Sequence, residues 1–160
     1  MNDLRRHWVL ALVLAAAAAP GCTTMHNWMH SDDTKAAAAA PSGTGYTQQV
    51  TLKGSNEVPP NNSTATGSGS VTVAANHAVA VNISVSGMNA TAAHIHMAPA
   101  GQEGPVIIPL TKTADNTFSA PGTAKLTDEQ YQAFKAGKLY INVHSAAHPG
   151  GEIRAQLRGG

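Results

Sequence analysis

Four of the eight histidines of this 160-residue chain fall in two short stretches. His94 and His96 are one residue apart in AAHIHM, and His144 and His148 follow in YINVHSAAHPGG. On a β-strand, residues two positions apart share a face and lie about 6.6 Å apart along it. Two imidazoles at this spacing can chelate one ion. The pattern therefore predicts a transition-metal site with His94, His96, His144 and His148 as ligands.

Imidazole nitrogen is a good ligand for both copper and zinc. The chain has a single cysteine, which removes Cys-rich zinc sites and thiolate nucleophiles from consideration. We expect copper before zinc in this site, with zinc as the alternative cofactor. The competing interpretation is a solvent-facing strand whose histidines bind nothing, because alternation alone places polar residues on an outer face.

Two later segments, KLYINVHS and GEIRAQL, alternate apolar and polar residues and predict a hairpin across AAHPGG. Tyr140, Asn142 and His144 would share one polar face with Glu152 and Arg154. We expect Glu152 and Arg154 beside the metal ligands, where Arg154 would attract anions or orient Glu152. The alternative is a surface ion pair between these two, worth about 0–1 kcal/mol. We assign no catalytic residue. Whether the protein is an enzyme stays open, and we favour a role without catalysis.

The rest of the domain also has the period of two that marks half-buried strands. In GSVTVAANHAVAVNISVSG the alternation runs on both sides of Asn76 and His77, which we predict to form the turn of a hairpin. The predicted strands lie at 46–52, 69–87 around that turn, 92–97, 105–110, 116–126, 138–145 and 151–157.

One short helix is predicted near 127–136, in LTDEQYQAFKAG. Thr127 is the expected N-cap, Gln130 holds the capping-box position, and Gly137 ends the helix. Many strands with one short helix favour an all-β fold, an immunoglobulin-like or Greek-key β-sandwich.

The first residues predict export. Arg5 and Arg6 precede the apolar run 8–19, which is too short for a membrane span and typical of a signal peptide. The small residues that lead to Cys22 resemble a bacterial lipoprotein signal. That resemblance implies a signal peptide at 1–21, cleavage before Cys22 and lipidation of its sulfur. An ordinary secretory signal with an incidental cysteine is the alternative.

Residues 22–45 are predicted to form a lipid-anchored flexible tether, rich in Ala, Ser, Thr and Pro. The expected location is the cell envelope, at an outer membrane facing the periplasm or the cell surface, because no Asp follows Cys22. The lipid anchor makes the membrane the expected partner. The tether carries a cluster that suits copper or is incidental, Met25, His26, Met29 and His30.

The segment 46–160 has the size of one domain. Without residues 1–21, the totals of 10 basic and 9 acidic residues become eight of each, so the formal charge is zero. With no basic field and few aromatic residues, the composition argues against nucleic-acid binding. No protein partner can be named.

Three segments together resemble the CHRD domain, over nearly all of 46–158. They are LKGSNEVPP, AAHIHMAPAGQEGPVI and LTDEQYQAFKAGKLYINVHSAAHPGGEIRAQL. The most specific part is G-x-L-Y-x-N-V-H followed by P-G-G-E-I-R-x-Q-L. The resemblance implies an immunoglobulin-like β-sandwich in an exported bacterial protein, and it implies little about chemistry.

A looser similarity in motif order links the chain to copper/zinc superoxide dismutase. It implies His94 and His96 as the H-x-H copper pair, His144 as the late ligand and Arg154 as the anion-steering arginine. The bridging histidine, the zinc cluster and the disulfide of that family have no counterpart here.

Three functions follow as hypotheses. The first is a membrane-tethered envelope domain that binds a transition metal through histidines. The second is a non-catalytic protein-interaction or structural module of the envelope. The third is a dismutase-like enzyme.

Overall fold

The computed structural model describes residues 44–160. They form nine strands, one α-helix and one short 3-10 turn at Gly54–Asn56. The elements are β1 Gly45–Lys53, β2 Thr66–Ala74, β3 Val79–Ser86, β4 Ala90–Met97, β5 Val106–Pro109, β6 Thr111–Ala114, β7 Thr117–Ser119, α1 Asp128–Lys135, β8 Leu139–Ser145 and β9 Ile153–Leu157.

All nine strands belong to one antiparallel sheet with the order β5-β4-β8-β9-β1-β2-β3-β7-β6. The two end strands, β5 and β6, follow one another in the chain, and the Leu110 N–H between them donates to the Ala93 carbonyl on β4. The sheet therefore curls until it is nearly closed around its apolar side. The prediction of an all-β sandwich-like fold with one short helix is confirmed.

The core lies inside this curled sheet and follows from the period of two. Val71 and Val73 on β2 alternate with less buried residues, as do Val81 and Ile83 on β3, and the apolar members are at most 5% exposed. The neighbouring strands β8 and β9 are buried at almost every position. Both faces of this pair are therefore covered.

The predicted hairpin at Asn76 and His77 is confirmed, because β2 and β3 pair in antiparallel register and His77 has a positive φ of 70°.

The helix also begins as predicted. The Thr127 hydroxyl accepts from the Gln130 N–H at 3.2 Å, and the Gln130 side chain accepts from the Thr127 N–H at 2.9 Å. Gly137, with φ of 67°, ends it.

One strand prediction was wrong in extent, and one strand was missed. The segment 116–126 contains only Thr117–Ser119 as a strand, because a turn follows in which the Ala124 N–H donates to the Pro121 carbonyl. The strand Thr111–Ala114 was not predicted. It is exposed at every position, so it lacks the apolar alternation that reveals a strand in a sequence.

Candidate metal centre

The candidate ligands stand on β4 and β8, two strands that are neighbours in the sheet. Their antiparallel register pairs His94 with Asn142, His96 with Tyr140 and Ala92 with His144. Paired residues share a face. The imidazoles of His94, His96 and His144 therefore project from the same side of the sheet, away from the apolar core.

These three histidines form a cluster. The Nδ1 atom of His94 lies 3.0 Å from the Nε2 atom of His144. One ring nitrogen from each of the three, His96 included, lies within 4.8 Å of the others. Nitrogens bound to one metal at about 2.0–2.1 Å would be about 3.3–3.6 Å apart. Small side-chain rotations would therefore bring all three onto one ion.

Backbone carbonyls fix the orientation of two of the rings. Nδ1 of His96 lies 2.9 Å from the Gly104 carbonyl oxygen, and Nδ1 of His144 lies 2.9 Å from the Pro149 carbonyl oxygen. A carbonyl can only accept, so both Nδ1 atoms carry hydrogen. In the neutral rings both Nε2 atoms then present lone pairs. Metal-binding histidines typically donate their other ring N–H in this way.

The Nε2 atoms of His96 and His144 have few hydrogen-bond donors near them. Nε2 of His96 is buried and has no hydrogen-bond partner within residues 44–160. Nε2 of His144 lies 3.0 Å from the amide oxygen of Asn142 as well as near His94. Because an amide oxygen and a ring lone pair both attract cations, this group of atoms suits a proton or a metal ion between them.

The cluster is also biased towards neutral imidazoles. Burial lowers the pKa of His94 below its usual 6.5, and the neighbouring His144 and His96 lower it further. Burial likewise lowers the pKa of His144, and its hydrogen bond to the Pro149 carbonyl offsets this only in part. Metal binding requires the deprotonated ring. At neutral pH these two rings are therefore in the form that binds a metal.

Behind the cluster, Tyr140 is held between residues of the two strands that flank β8. The imidazole of His96 on β4 stacks on the Tyr140 ring at 4.7 Å between centroids and 8° between planes. The guanidinium carbon of Arg154 on β9 lies 3.4 Å from the same ring centroid. The Tyr140 hydroxyl accepts from the Gly104 N–H at 3.3 Å. The Gly104 peptide thus holds both His96 and Tyr140.

The predicted hairpin of β8 and β9 is confirmed, with Asn142 opposite Arg154. A surface ion pair between Glu152 and Arg154 is not formed, so that interpretation was wrong. Arg154 is 1% exposed and Glu152 is 7% exposed, and within residues 44–160 no ion pair joins them. The Glu152 carboxylate accepts from the Ser63 hydroxyl at 2.6 Å. The strand alternation predicted the shared face correctly but not its burial.

A second buried carboxyl, that of Glu57, acts on Arg154 through its charge. Glu57, directly after the 3-10 turn, is 6% exposed, and its Oε1 atom has no hydrogen-bond partner within residues 44–160. Burial raises the pKa of Glu57 from 4.5 to about 7, and the positive charge of Arg154 opposes this only in part.

The structure thus brings together three of the four predicted ligands. His148 lies in the turn after β8, where its N–H bonds to Ser145, and it is outside the three-histidine cluster. Cys22 lies outside the described residues, as does the whole predicted tether except its last two residues. The described residues contain no helix long and apolar enough to cross a membrane.

The sequence analysis did not identify three residues that support the ligands: Asn142, Tyr140 and Gly104. Asn142 and Tyr140 had been placed on the ligand face, and a bulky aromatic residue on a polar strand face is a signal that could have identified Tyr140. Gly104 acts through its backbone, so its side chain gives no signal. An added Cβ there would collide with the Met97 carbonyl oxygen, so glycine is required.

Most of the described domain matches a known protein family. The profile described as the CHRD domain matches residues 48–157. No curated protein and no solved structure matched the chain.

Proposed function

This chain belongs to the CHRD domain family, and we propose that its domain binds one transition-metal ion through His94, His96 and His144. Copper is the preferred ion and zinc the alternative. The observation that carries the proposal is the pair of carbonyl-bound Nδ1 atoms, on His96 and His144, which leave both Nε2 atoms as the nitrogens with lone pairs within the three-histidine cluster.

The choice of copper rests on the ligand atoms. All three members of the cluster offer imidazole nitrogen, and no carboxylate belongs to the cluster within residues 44–160. Divalent copper binds a given nitrogen site more tightly than zinc in the general order of stability. Three imidazole ligands, two of them on rings oriented by backbone carbonyls, should therefore select copper when both ions are present.

Binding rather than catalysis is the role that the surroundings support. A dismutase-like enzyme needs a cation that can attract an anion from solvent, and Arg154 was the candidate for that role. Its guanidinium is covered, with 1% of the residue exposed, and lies on the opposite side of β8 from His96. Arg154 can support Tyr140 there, but it cannot guide an anion in from bulk water.

The test is a titration of the metal-free chain with copper(II), followed by paramagnetic resonance. We expect close to one copper per chain, with hyperfine structure from nitrogen ligands, and preference for copper over an equal concentration of zinc. His96→Ala should remove this signal. His77→Ala is the matched control, because His77 stacks on Tyr131 away from the cluster.

Two results would contradict the proposal. Stoichiometric binding that persists in His96→Ala would place the ligands elsewhere, with the tether cluster around Met25 and His30 as the next candidate. No saturable binding in the unaltered chain would favour a protein-interaction or structural module. His148→Ala separates the three-ligand site from a four-ligand site, because only the latter would lose affinity.

We further propose that the domain is tethered to a membrane of the cell envelope through a lipid on Cys22. The proposal is supported by the basic, apolar and small residues that precede this single cysteine. Two or more acyl chains would anchor the protein stably. Cys22→Ala should move the protein from the membrane fraction to the soluble fraction of the envelope. Continued retention in the membrane fraction would refute lipid anchoring.

A further inference from the structure

The buried carboxyl of Glu57 belongs to the segment that follows β1 and crosses the polar face of the β8–β9 hairpin. Two amide side chains hold this segment against the hairpin. Nδ2 of Asn56 donates to the Arg154 carbonyl oxygen at 3.1 Å. Nδ2 of Asn61 donates to the Glu152 carbonyl oxygen at 3.0 Å. Glu57 is therefore fixed over the hairpin by its neighbours in the chain.

Gly151 shows how close this carboxyl comes to the Asn142 amide. A Cβ atom added to Gly151 would lie 2.6 Å from Oε1 of Glu57 and 2.9 Å from Nδ2 of Asn142. The two groups therefore share the space that a side chain at position 151 would fill. Oε1 of Glu57 is buried and has no hydrogen-bond partner within residues 44–160. An acceptor without a donor thus lies beside an amide that can donate.

The other end of the same amide reaches the histidine cluster. Oδ1 of Asn142 lies 3.0 Å from Nε2 of His144. In the neutral ring this nitrogen carries the lone pair, because Nδ1 bonds to the Pro149 carbonyl. Asn142 is 2% exposed, so water has little access to the contact. The amide therefore lies between the carboxyl of Glu57 and one of the proposed metal ligands.

The orientation of this amide affects whether His144 can bind a metal. The amide oxygen accepts and the amide nitrogen donates, although the two ends are nearly equal in shape. With the oxygen towards His144, the Nε2 lone pair stays open. In the reversed orientation an amide N–H would donate to Nε2 and occupy the lone pair that a metal needs.

The charge at position 57 favours one of the two orientations. A carboxylate can only accept hydrogen bonds, so it attracts the Asn142 N–H groups and turns the amide oxygen to His144. A neutral carboxyl or carboxamide at position 57 can donate to the amide oxygen, which favours the reversed orientation.

The charged groups around Glu57 leave both of its forms available. Burial raises the pKa of Glu57 from 4.5 to about 7, Arg154 on β9 lowers it, and Glu103, in the segment after β4, adds to the increase. Neutral and ionised carboxyl are therefore both populated near this pH. Neither Arg154 nor Glu103 belongs to the three-histidine cluster.

We propose that Glu57 is a positioning residue of the metal site and acts through Asn142. As a carboxylate it holds the amide N–H groups, so the amide oxygen faces His144 and the Nε2 lone pair is left to the metal. The proposal rests on metal binding by the three histidines. It adds a regulation of that binding by a carboxyl outside the cluster.

The experiment compares the copper(II) affinity of the metal-free full chain with that of Glu57→Gln, by competition titration against a chelator. Glutamine keeps the shape of the side chain but lacks the charge, and it can donate to the Asn142 oxygen. At about pH 8 we expect the variant to bind copper about 10–100-fold more weakly. Its paramagnetic resonance should keep the nitrogen hyperfine structure, because the ligands are unchanged. Glu129→Gln makes the same chemical change on α1 and should leave the affinity unaltered.

The dependence on pH distinguishes positioning from a general loss of structure. The difference in affinity between the two proteins should shrink several-fold at about pH 6, where Glu57 in the unaltered protein is mostly neutral. The histidines titrate in both proteins, so their contribution cancels in this comparison. A difference that stays the same at both pH values would overturn the proposal.

A double-mutant cycle separates positioning from simple attraction between charges. Asn142→Leu removes the amide, so the addition of Glu57→Gln to it should cause no further loss of copper affinity. A loss of the same size with and without the amide would mean that the charge acts through space, and would overturn the proposal. Asn142→Ala is the second background if the leucine variant does not fold.

The failure of this proposal is distinguishable from the failure of the metal site. Equal copper affinity of the unaltered protein and Glu57→Gln at the higher pH would overturn the positioning role and leave the metal site intact. No saturable binding in the unaltered chain would refute the metal site, and the positioning role with it.

Discussion

The two faces of the β8–β9 hairpin are both buried, but they are held by different forces. On the inner face, Ile141, Val143 and Ile153 are 0% exposed and pack in the apolar core. On the outer face, Asn142 and Arg154 are 2% and 1% exposed, and polar contacts surround them. Apolar burial needs contact alone, whereas each buried polar atom needs a partner.

This difference indicates that the inner face mainly determines stability and the outer face mainly orients the candidate ligands. Removing atoms from the inner face should lower the free energy of unfolding and leave the ligand atoms in place. Changes on the outer face should alter hydrogen-bond partners, and with them the orientation of the histidines. The following changes test that division, from the largest expected effect to the smallest.

Ile141→Ala should have the largest effect, because it removes buried methyl groups and leaves a cavity in the core. We expect the free energy of unfolding to fall by about 2–5 kcal/mol in urea denaturation. The folded variant should still bind one copper ion. Val106→Ala is the control, since Val106 is 48% exposed and its loss should cost less than about 0.5 kcal/mol. A loss of copper binding in folded Ile141→Ala would contradict this separation of the two faces.

Gly104→Ala should act mainly on the metal. The new methyl group would collide with the Met97 carbonyl oxygen, so the Gly104 carbonyl should move away from Nδ1 of His96. Losing such a partner typically lowers metal affinity about 10–100-fold, which a competition titration against a chelator would measure. Gly122→Ala is the control, because an added Cβ there meets nothing within 4 Å. Unchanged affinity in Gly104→Ala would show that the carbonyl does not orient His96.

Glu57 should make stability depend on pH. Its pKa is about 7 in the folded protein and near 4.5 when unfolded. Between these values the folded state binds more protons, so the free energy of unfolding should fall as pH rises from about 4.5 through 7. The lowered pKa values of His94 and His144 act in the opposite direction below 6.5. The difference between the unaltered protein and Glu57→Gln isolates the carboxyl.

Urea denaturation of both proteins across this pH range is the measurement. The stability of Glu57→Gln relative to the unaltered protein should increase with pH. A difference in the free energy of unfolding that stays constant with pH would mean that Glu57 has the same pKa in the folded and unfolded states.

Tyr140→Phe should have the smallest effect. It retains the ring between His96 and Arg154 but removes the acceptor of the Gly104 N–H. We expect a loss of about 0.5–1.5 kcal/mol in unfolding free energy and only a slight change in copper affinity. A loss of affinity as large as that of Gly104→Ala would show that the hydroxyl, rather than the carbonyl, positions the site.

Alternation in the sequence was enough to predict much of this arrangement. The period of two placed His94 and His96 on one face, and it placed His144 on the polar face of a hairpin with Arg154. Turn and cap residues such as Thr127 set the ends of local elements. These features depend on near neighbours in the chain, which is why a single sequence reveals them.

The features that the sequence did not predict depend on contacts between segments that are distant in the chain. The outer face is buried because the segment around Gly104 and the turn before Glu57 fold across it, and the composition of neither segment predicts its path. The Gly104 and Pro149 carbonyls that orient the rings are backbone groups, which every residue possesses. The burial of Arg154 could not be predicted for the same reason, since arginine is usually exposed.

The pairing of β4 with β8 has a consequence for the growing chain. His94 and His144 touch although 50 positions separate them. A chain that ends before Leu139 carries the first two histidines on a strand without its neighbour β8, and long-range strand pairs close late in folding. The proposed coordination by three nitrogens would therefore form only once synthesis has passed residue 144 and the distant strands have met. A bound ion would thus mark a finished molecule, and unfinished chains would hold it less tightly.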